Sequence, residues 1–186
     1  MHSDADLQML MARYQAGDPA AAAALVNQLS PALHRFFMMQ YVSRRHADDL
    51  LQETWLRIHE IRHTYRPGEP VLPWLYAIAR HIRVDHYRKT TRVETRERQV
   101  EQLPEVSASR QGSAGMDLDA LLRSLPEGQR EVIAMLKISD MSLEEVARAT
   151  QSSVGSVKQK AHRAYEKLRE QLTRMGFGHI GAGGRG

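Results

Sequence analysis

The chain has 186 residues, no cysteine and a formal net charge of +4. Without cysteine there is no disulfide framework and no thiolate metal site, and no apolar run approaches the roughly 20 residues needed to cross a bilayer. The polar start, with Asp4 and Asp6 close behind Met1, does not read as a secretion signal, so a water-soluble cytoplasmic chain is expected.

Helical periodicity dominates from the first residues, and alternating strand patterns are nearly absent. Asp6 to Ala16 reads as a helix ended by Gly17. Asp18 then reads as an N-cap with Pro19 at the first helical position. The alanine run that follows favours a helix continuing to about Tyr41, with a bend near Ser30–Pro31. Ser43 opens the next helix, to about His63, with Ala47, Leu50, Leu51, Trp55, Ile58 and Ile61 as its apolar stripe. Tyr65-Arg66-Pro67-Gly68-Glu69-Pro70 is a loop. A further helix runs from Leu72–Pro73 through Arg88, with Leu75, Ile78, Ala79, Ile82 and Tyr87 on its apolar side.

From about Thr90 the pattern fades. Glu94 to Arg110 alternates charges without an apolar face, and Ser107 to Gly115 is small and polar, as linkers are; its first part is also compatible with an extension of the preceding helix. Order resumes at Asp117, with Leu118, Leu121, Leu122 and Leu125 as a short apolar face before Pro126. Glu127 to Ile138 forms a helix. Ser142 caps the next one, with Glu145 completing a capping box, and that helix ends near Thr150. Ser153 caps the last helix, to about Met175, and a glycine-rich tail follows. The expected fold class is all-α. Two small helical domains, 1–92 and 117–175, are joined by a flexible linker, 93–116, and followed by a flexible tail, 176–186.

Charge placement says more than its total. Arg80, Arg83, Arg88, Lys89 and Arg92 are opposed between Trp74 and Arg92 by Asp85 alone. Lys158, Lys160, Arg163, Lys167, Arg169 and Arg174 are opposed between Ser153 and Arg174 by Glu166 and Glu170. Two separated basic segments suit two contacts with one polyanion.

Ser142 to Leu172 has the spacing of a helix-turn-helix: a short helix, a polar turn at Gln151-Ser152-Ser153, and a long basic helix. Val154, Val157, Ala161, Ala164 and Leu168 share one face of that helix. Ser156, Lys158, Gln159, His162 and Arg163 then face outward, where lysine and arginine suit phosphate or guanine and glutamine suits adenine. A plain helical hairpin with a solvated basic face has the same pattern.

Leu125-Pro126-Glu127-Gly128-Gln129-Arg130-Glu131-Val132, Met141-Ser142-Leu143-Glu144-Glu145-Val146-Ala147 and Ser153-Val154-Gly155-Ser156-Val157-Lys158 resemble the C-terminal domain of extracytoplasmic-function sigma factors. In the N-terminal half, Asp48-Asp49-Leu50-Leu51-Gln52-Glu53-Thr54-Trp55 resembles the family's polymerase-binding helix. Pro73-Trp74-Leu75-Tyr76-Ala77-Ile78-Ala79-Arg80 and Asp85-His86-Tyr87-Arg88 resemble its promoter-melting helix. The resemblance runs from about Leu7 to Leu172, in the family's order.

It implies a transcription initiation factor. The first domain would bind core RNA polymerase at a coiled coil of the largest subunit, through Asp48, Asp49, Leu51, Gln52, Glu53 and Trp55. It would also open DNA at the minus-ten element, with Tyr65 and Arg66 in a base-capturing loop and Trp74, Arg80, Arg83, His86, Arg88 and Lys89 on the following helix. The second domain would read the minus-thirty-five element through Ser156, Lys158, Gln159, His162 and Arg163, beside the polymerase flap. Several of these have plain structural alternatives: an acidic first turn favoured by the helix dipole, a surface turn fixed by Pro67 and Pro70, and Trp74 as core. Many relatives carry a different polar set at Lys158, Gln159 and His162, so promoter sequence does not carry over. An anti-sigma factor is an expected partner, with a compact inhibited form and a more extended free one. No cofactor, no small-molecule substrate, no catalytic or metal residue and no membrane insertion are expected.

The main rival is a metalloprotease, because His59-Glu60-Ile61-Arg62-His63 has the order of a two-histidine zinc helix. That site needs a third ligand, for which His81, Asp85 and His86 are candidates beyond the loop. Arg62 and Arg66 would repel a cation there, and the same helix is already accounted for by the polymerase-binding motif. A second rival, a helix-turn-helix repressor or activator with a sensor domain, leaves the two N-terminal motifs unexplained.

Overall fold

The computed structural model describes residues 4–40, 44–97 and 118–175, with only the backbone for 90–97 and for 118 and 119. The expected helix start at Ser43, most of the expected linker and the glycine-rich tail lie outside the described residues. Within them the secondary structure is helical: α1 (Asp4–Gln15), α2 (Pro19–Gln40), α3 (Arg44–Ile61), a 3-10 turn (Arg62–Thr64), α4 (Val71–Glu97), α5 (Leu118–Arg123), α6 (Glu127–Lys137), α7 (Leu143–Ala149) and α8 (Val154–Arg174).

The helix boundaries follow from local chemistry. Gly17, at φ +90°, takes the left-handed conformation that stops α1 without a Cβ penalty. Asp18 Oδ1 then accepts hydrogen bonds from the Ala20 and Ala21 amides at 2.9 and 3.3 Å, which satisfies free donors at the start of α2. Pro31 sits inside α2, which runs on to Gln40.

In the N-terminal half, α1 and α2 pack as a hairpin, α3 lies on α2, and α4 closes the bundle on α3. Leu7, Met11, Leu25, Leu33, Phe36 and Leu50 fill its centre. Thr54 is also buried, and its hydroxyl donates to the Leu50 carbonyl at 2.7 Å. In the C-terminal half, α6 and α7 pack on α8 through Val132, Met135, Val146, Val157, Ala161 and Ala164.

The two halves pack together in the chain by itself, where the sequence led us to expect a more extended free form. Helix α7 lies along α4, and α5 and α6 lie on α2. Phe36 meets Tyr76 edge-on, with ring centroids 5.3 Å apart, and the Tyr76 hydroxyl is hydrogen-bonded to Ser139 of the loop after α6. Burial pushes the Tyr76 phenol up to about 12, against the opposing pull of that hydrogen bond and of Arg35.

Two expectations for α4 change. Tyr87, placed on its apolar stripe by spacing, is 59% exposed, because the apolar side ends at Ile82 and Arg83. The helix itself continues to Glu97, into the stretch where the apolar pattern fades.

Candidate functional site

The helix-turn-helix is built from its caps. The Ser142 amide donates to Glu145 Oε2 at 2.7 Å and the Glu145 amide to Ser142 Oγ at 3.2 Å, the reciprocal pair that starts α7. At its end, Thr150 Oγ1 donates to the Val146 carbonyl at 2.7 Å. Gln151 is left-handed, at φ 51°, a conformation that costs a non-glycine residue roughly 1–2 kcal/mol. The Ser152 amide returns to the Ala147 carbonyl at 2.9 Å. Ser153 Oγ then accepts from the Ser156 amide at 3.1 Å and starts α8.

Val157, Ala161 and Ala164 are buried in α8, and Val154 and Leu168 pack partly against the core. Lys158, Gln159, His162 and Arg163 are exposed on the other side, with Ser156 half-buried at the helix start. His162 Nε2 lies 3.3 Å from Glu166 one turn on. Lys167 is tied down, its ammonium donating to the Ser124 carbonyl at 2.8 Å, and Gln171 bonds the Ser124 hydroxyl.

A second surface lies on α4 and the loop before it. Tyr65, expected to stack on a base or bond to it, is only 2% exposed. Its hydroxyl donates to the Glu69 carbonyl, its ring meets Trp74 with centroids 5.6 Å apart, and burial pushes its phenol upward, helped by Asp4 and Glu69. Tyr65 is thus a pillar of the loop. Arg66 is exposed and Trp74 half-buried, and with Pro70, Pro73 and Arg148 they line a hollow of about 220 Å³. Along α4, His86 is half-buried beside His46, ring centroids 5.4 Å apart, and Arg88 and Lys89 are exposed.

Arg80 and Arg83 face α6. Arg83, 5% exposed, binds Glu131 at 2.9 Å and also Glu127, and Arg80 Nε lies 3.2 Å from the same Glu131 carboxylate. This arrangement was not visible in the sequence, where Glu127 and Glu131 belong to one motif and the arginines to another.

The third surface is an apolar groove of about 570 Å³ between α2 and α3, reaching Tyr14 of α1. Leu51, Gln52, Trp55 and Asp48, expected to meet the polymerase, line it together with Val26 and Leu56, which the sequence did not single out. Leu56 is 59% exposed; a large apolar residue outside the stripe of α3 was the available signal. Trp55 Nε1 donates to Ser30 Oγ at 2.9 Å and holds the indole in the groove wall. His34 Nε2 lies 2.9 Å from Asp48 at the rim, and Asp49 and Glu53 are exposed on α3. His59 Nδ1 lies 2.9 Å from the Tyr14 hydroxyl, and burial raises the Tyr14 phenol against the lowering effect of Arg62. Among the described residues no group of three or more His, Cys, Asp or Glu side chains is placed to hold a metal ion, and no helix is long and apolar enough to cross a membrane.

Comparison with known proteins accounts for both halves. Residues 25–93 match sigma-70 region 2 and residues 115–168 match sigma-70 region 4. The chain is 33% identical to the ECF RNA polymerase sigma factor SigF of Caulobacter vibrioides, over 90% of this chain and 94% of that one. It is 31% identical to the RNA polymerase sigma factor CarQ of Myxococcus xanthus, over 87% and 95% respectively. Its fold matches that of the sigma factor RpoE of Bartonella quintana, solved with the anti-sigma factor NepR, with a TM-score of 0.69 and 25% identity over 81% of this chain and 96% of that one. The chain belongs to the extracytoplasmic-function sigma factors of RNA polymerase, transcription initiation factors built from regions 2 and 4.

Proposed function

We propose that each surface has its own task in promoter-directed initiation by a non-catalytic, cytoplasmic factor. The observation that carries this reading is the bare polar face of α8, opposite a stripe buried at Val157, Ala161 and Ala164 on the same helix. Such a helix enters the major groove by its N-terminal part. Gln159 and Lys158 read base edges, Arg163 reads a base or holds phosphate, His162 lies beside them, and Ser156 binds phosphate.

The groove on α3 takes an amphipathic polymerase helix. Leu51, Trp55 and Leu56 meet its apolar side, and Asp48, Asp49, Gln52 and Glu53 meet its basic side. The hollow beside Arg66 and Trp74 receives an extruded base at the minus-ten element, where stacking and edge hydrogen bonds repay the few kcal/mol of unstacking. Arg80, Arg83, His86, Arg88 and Lys89 hold the DNA backbone along α4. The Bartonella quintana relative was solved with an anti-sigma factor, and control of this chain by such a partner is part of the same reading.

Run-off transcription with purified core polymerase on a genomic promoter library tests it. Discrete transcripts are expected only when this protein is added, and equal initiation with and without it would reject the reading. Charge reversal of Asp49 and Glu53 together should weaken polymerase binding while the circular dichroism spectrum stays intact.

A further inference from the structure

Region 4 covers the minus-ten surface of region 2 and leaves the other two surfaces open. Arg83 and Glu131 are 5% and 4% exposed, and they are sealed against each other across the two halves. Arg80 shares the Glu131 carboxylate, and Glu127 adds a second acid to Arg83. At the far end of the same contact, Arg148 of α7 reaches Glu69 at 3.5 Å and forms part of the wall of the hollow beside Trp74. The α3 groove has no residue of α5 to α8 in its lining, and Lys158, Gln159, His162 and Arg163 remain exposed.

A guanidinium recognises carboxylate and phosphate with the same planar fork. A buried arginine left without an anion is heavily penalised, so Arg83 stays sealed under α6 only while Glu127 and Glu131 are there to pair with it. We propose that α6 is an intramolecular stand-in for promoter phosphates. Glu127 and Glu131 occupy Arg80 and Arg83 in the free chain, and DNA reaches these arginines only when region 4 swings away. The assignment of the arginines to DNA rests on the promoter-opening role above; the closure itself does not. Closure silences the minus-ten surface alone, so the free chain can still dock on polymerase through α3 before it holds melted DNA.

The native chain has no cysteine, so reporters at Met9→Cys in α1 and Arg169→Cys in α8, both exposed, give the distance between the halves in solution. The parent should give a single short-distance population. Glu127→Gln with Glu131→Gln should add a long-distance population and tighten binding of a random-sequence single-stranded DNA pool about tenfold, equivalent to ~1.4 kcal/mol. Glu60→Gln with Glu144→Gln makes the same change in net charge at exposed acids outside the contact, and should leave the distance unchanged and the affinity nearly so. Equal affinity gains in both double variants, or an unaltered distance in the first, would overturn the proposal.

A second measurement needs no variant at the contact. Saturating the reporter-bearing parent with the same DNA pool should lengthen the distance, because phosphate and carboxylate compete for the same arginines. DNA bound at α4, located by its protection of the part-exposed Arg80 from chemical modification, with the halves still closed would also overturn the proposal. Both experiments use the chain alone, so failure of run-off transcription and failure of the closure are separate results.

Discussion

Helices α4 and α8 are both long, and each carries a surplus of cations, yet their settings differ. Helix α8 has one buried stripe and one bare face, so Lys158 and Arg163 meet solvent. Helix α4 packs against α3 on one side and α7 on another, and its innermost arginines are paired with carboxylates from α6. Similar surpluses of charge in a sequence therefore do not mean similar availability to a polyanion. What decides it is whether a second element of the same chain presents acids at matching spacing, as Glu127 and Glu131 do one turn apart on α6.

The comparison is open to breaking at several points. The largest effect is expected from Tyr76→Ala, which removes a buried aromatic shared by both halves. It should cost about 3–5 kcal/mol, whereas Lys158→Ala on the bare face should stay within about 0.5 kcal/mol. Equal losses in thermal melts would mean that α4 is no more central to the fold than α8.

Alkaline pH sharpens the same contrast. The Tyr76 phenol is raised from 10.0 to about 12. The unfolded chain therefore releases that proton first, and its contribution to stability is complete below pH 10 and lost between pH 10 and about 12. The loss is at most about 2–3 kcal/mol, to which the raised phenols of Tyr14 and Tyr65 add. Denaturant titrations at stepped pH should show this decline, and it should be flatter in Tyr76→Phe.

On α8 the expected effect is on DNA choice. Gln159→Ala should relax preference at one or two upstream base pairs by about 1–3 kcal/mol, with little change in nonspecific affinity. Binding-site selection at fixed salt reads this directly. An unchanged upstream motif for both Lys158→Ala and Gln159→Ala would put a different face of α8 in the groove. A modest effect should come from Ser142→Ala, about 1 kcal/mol for a lost N-cap, seen as a lower melting temperature with the upstream motif unaltered.

The caps at Asp18, Ser142 and Ser153 were legible in the sequence because each is settled within three or four residues. So was the division of α8 into a buried and a bare face, since Val157, Ala161 and Ala164 follow a single helical period. The burial of Tyr65 was not legible: a tyrosine between a 3-10 turn and Pro67 has no period to read, and its place depends on Trp74 and the Glu69 carbonyl. Nor was the engagement of Arg83, whose partner lies 48 residues away on another element. Tyr87 was misplaced: it is apolar to a periodicity count, yet it is 59% exposed and lies beyond the last buried turn of α4. Leu56, outside the stripe of α3 and equally exposed, lines the groove there, which the sequence did not single out.

Helix α4 spans 27 residues, about 40 Å at 1.5 Å per residue, and has the proportions of a lever. Its first half is clamped in the core of region 2, the paired arginines sit near its middle, and its last turns run on toward the segment that leads to region 4. A load on those last turns would be carried back along the hydrogen-bonded backbone of α4, past the buried arginine–glutamate contact. If polymerase holds region 2 by α3, as proposed, and draws region 4 toward upstream DNA, the pull would fall on this one rod, and mechanical tension would become a means of parting the two halves.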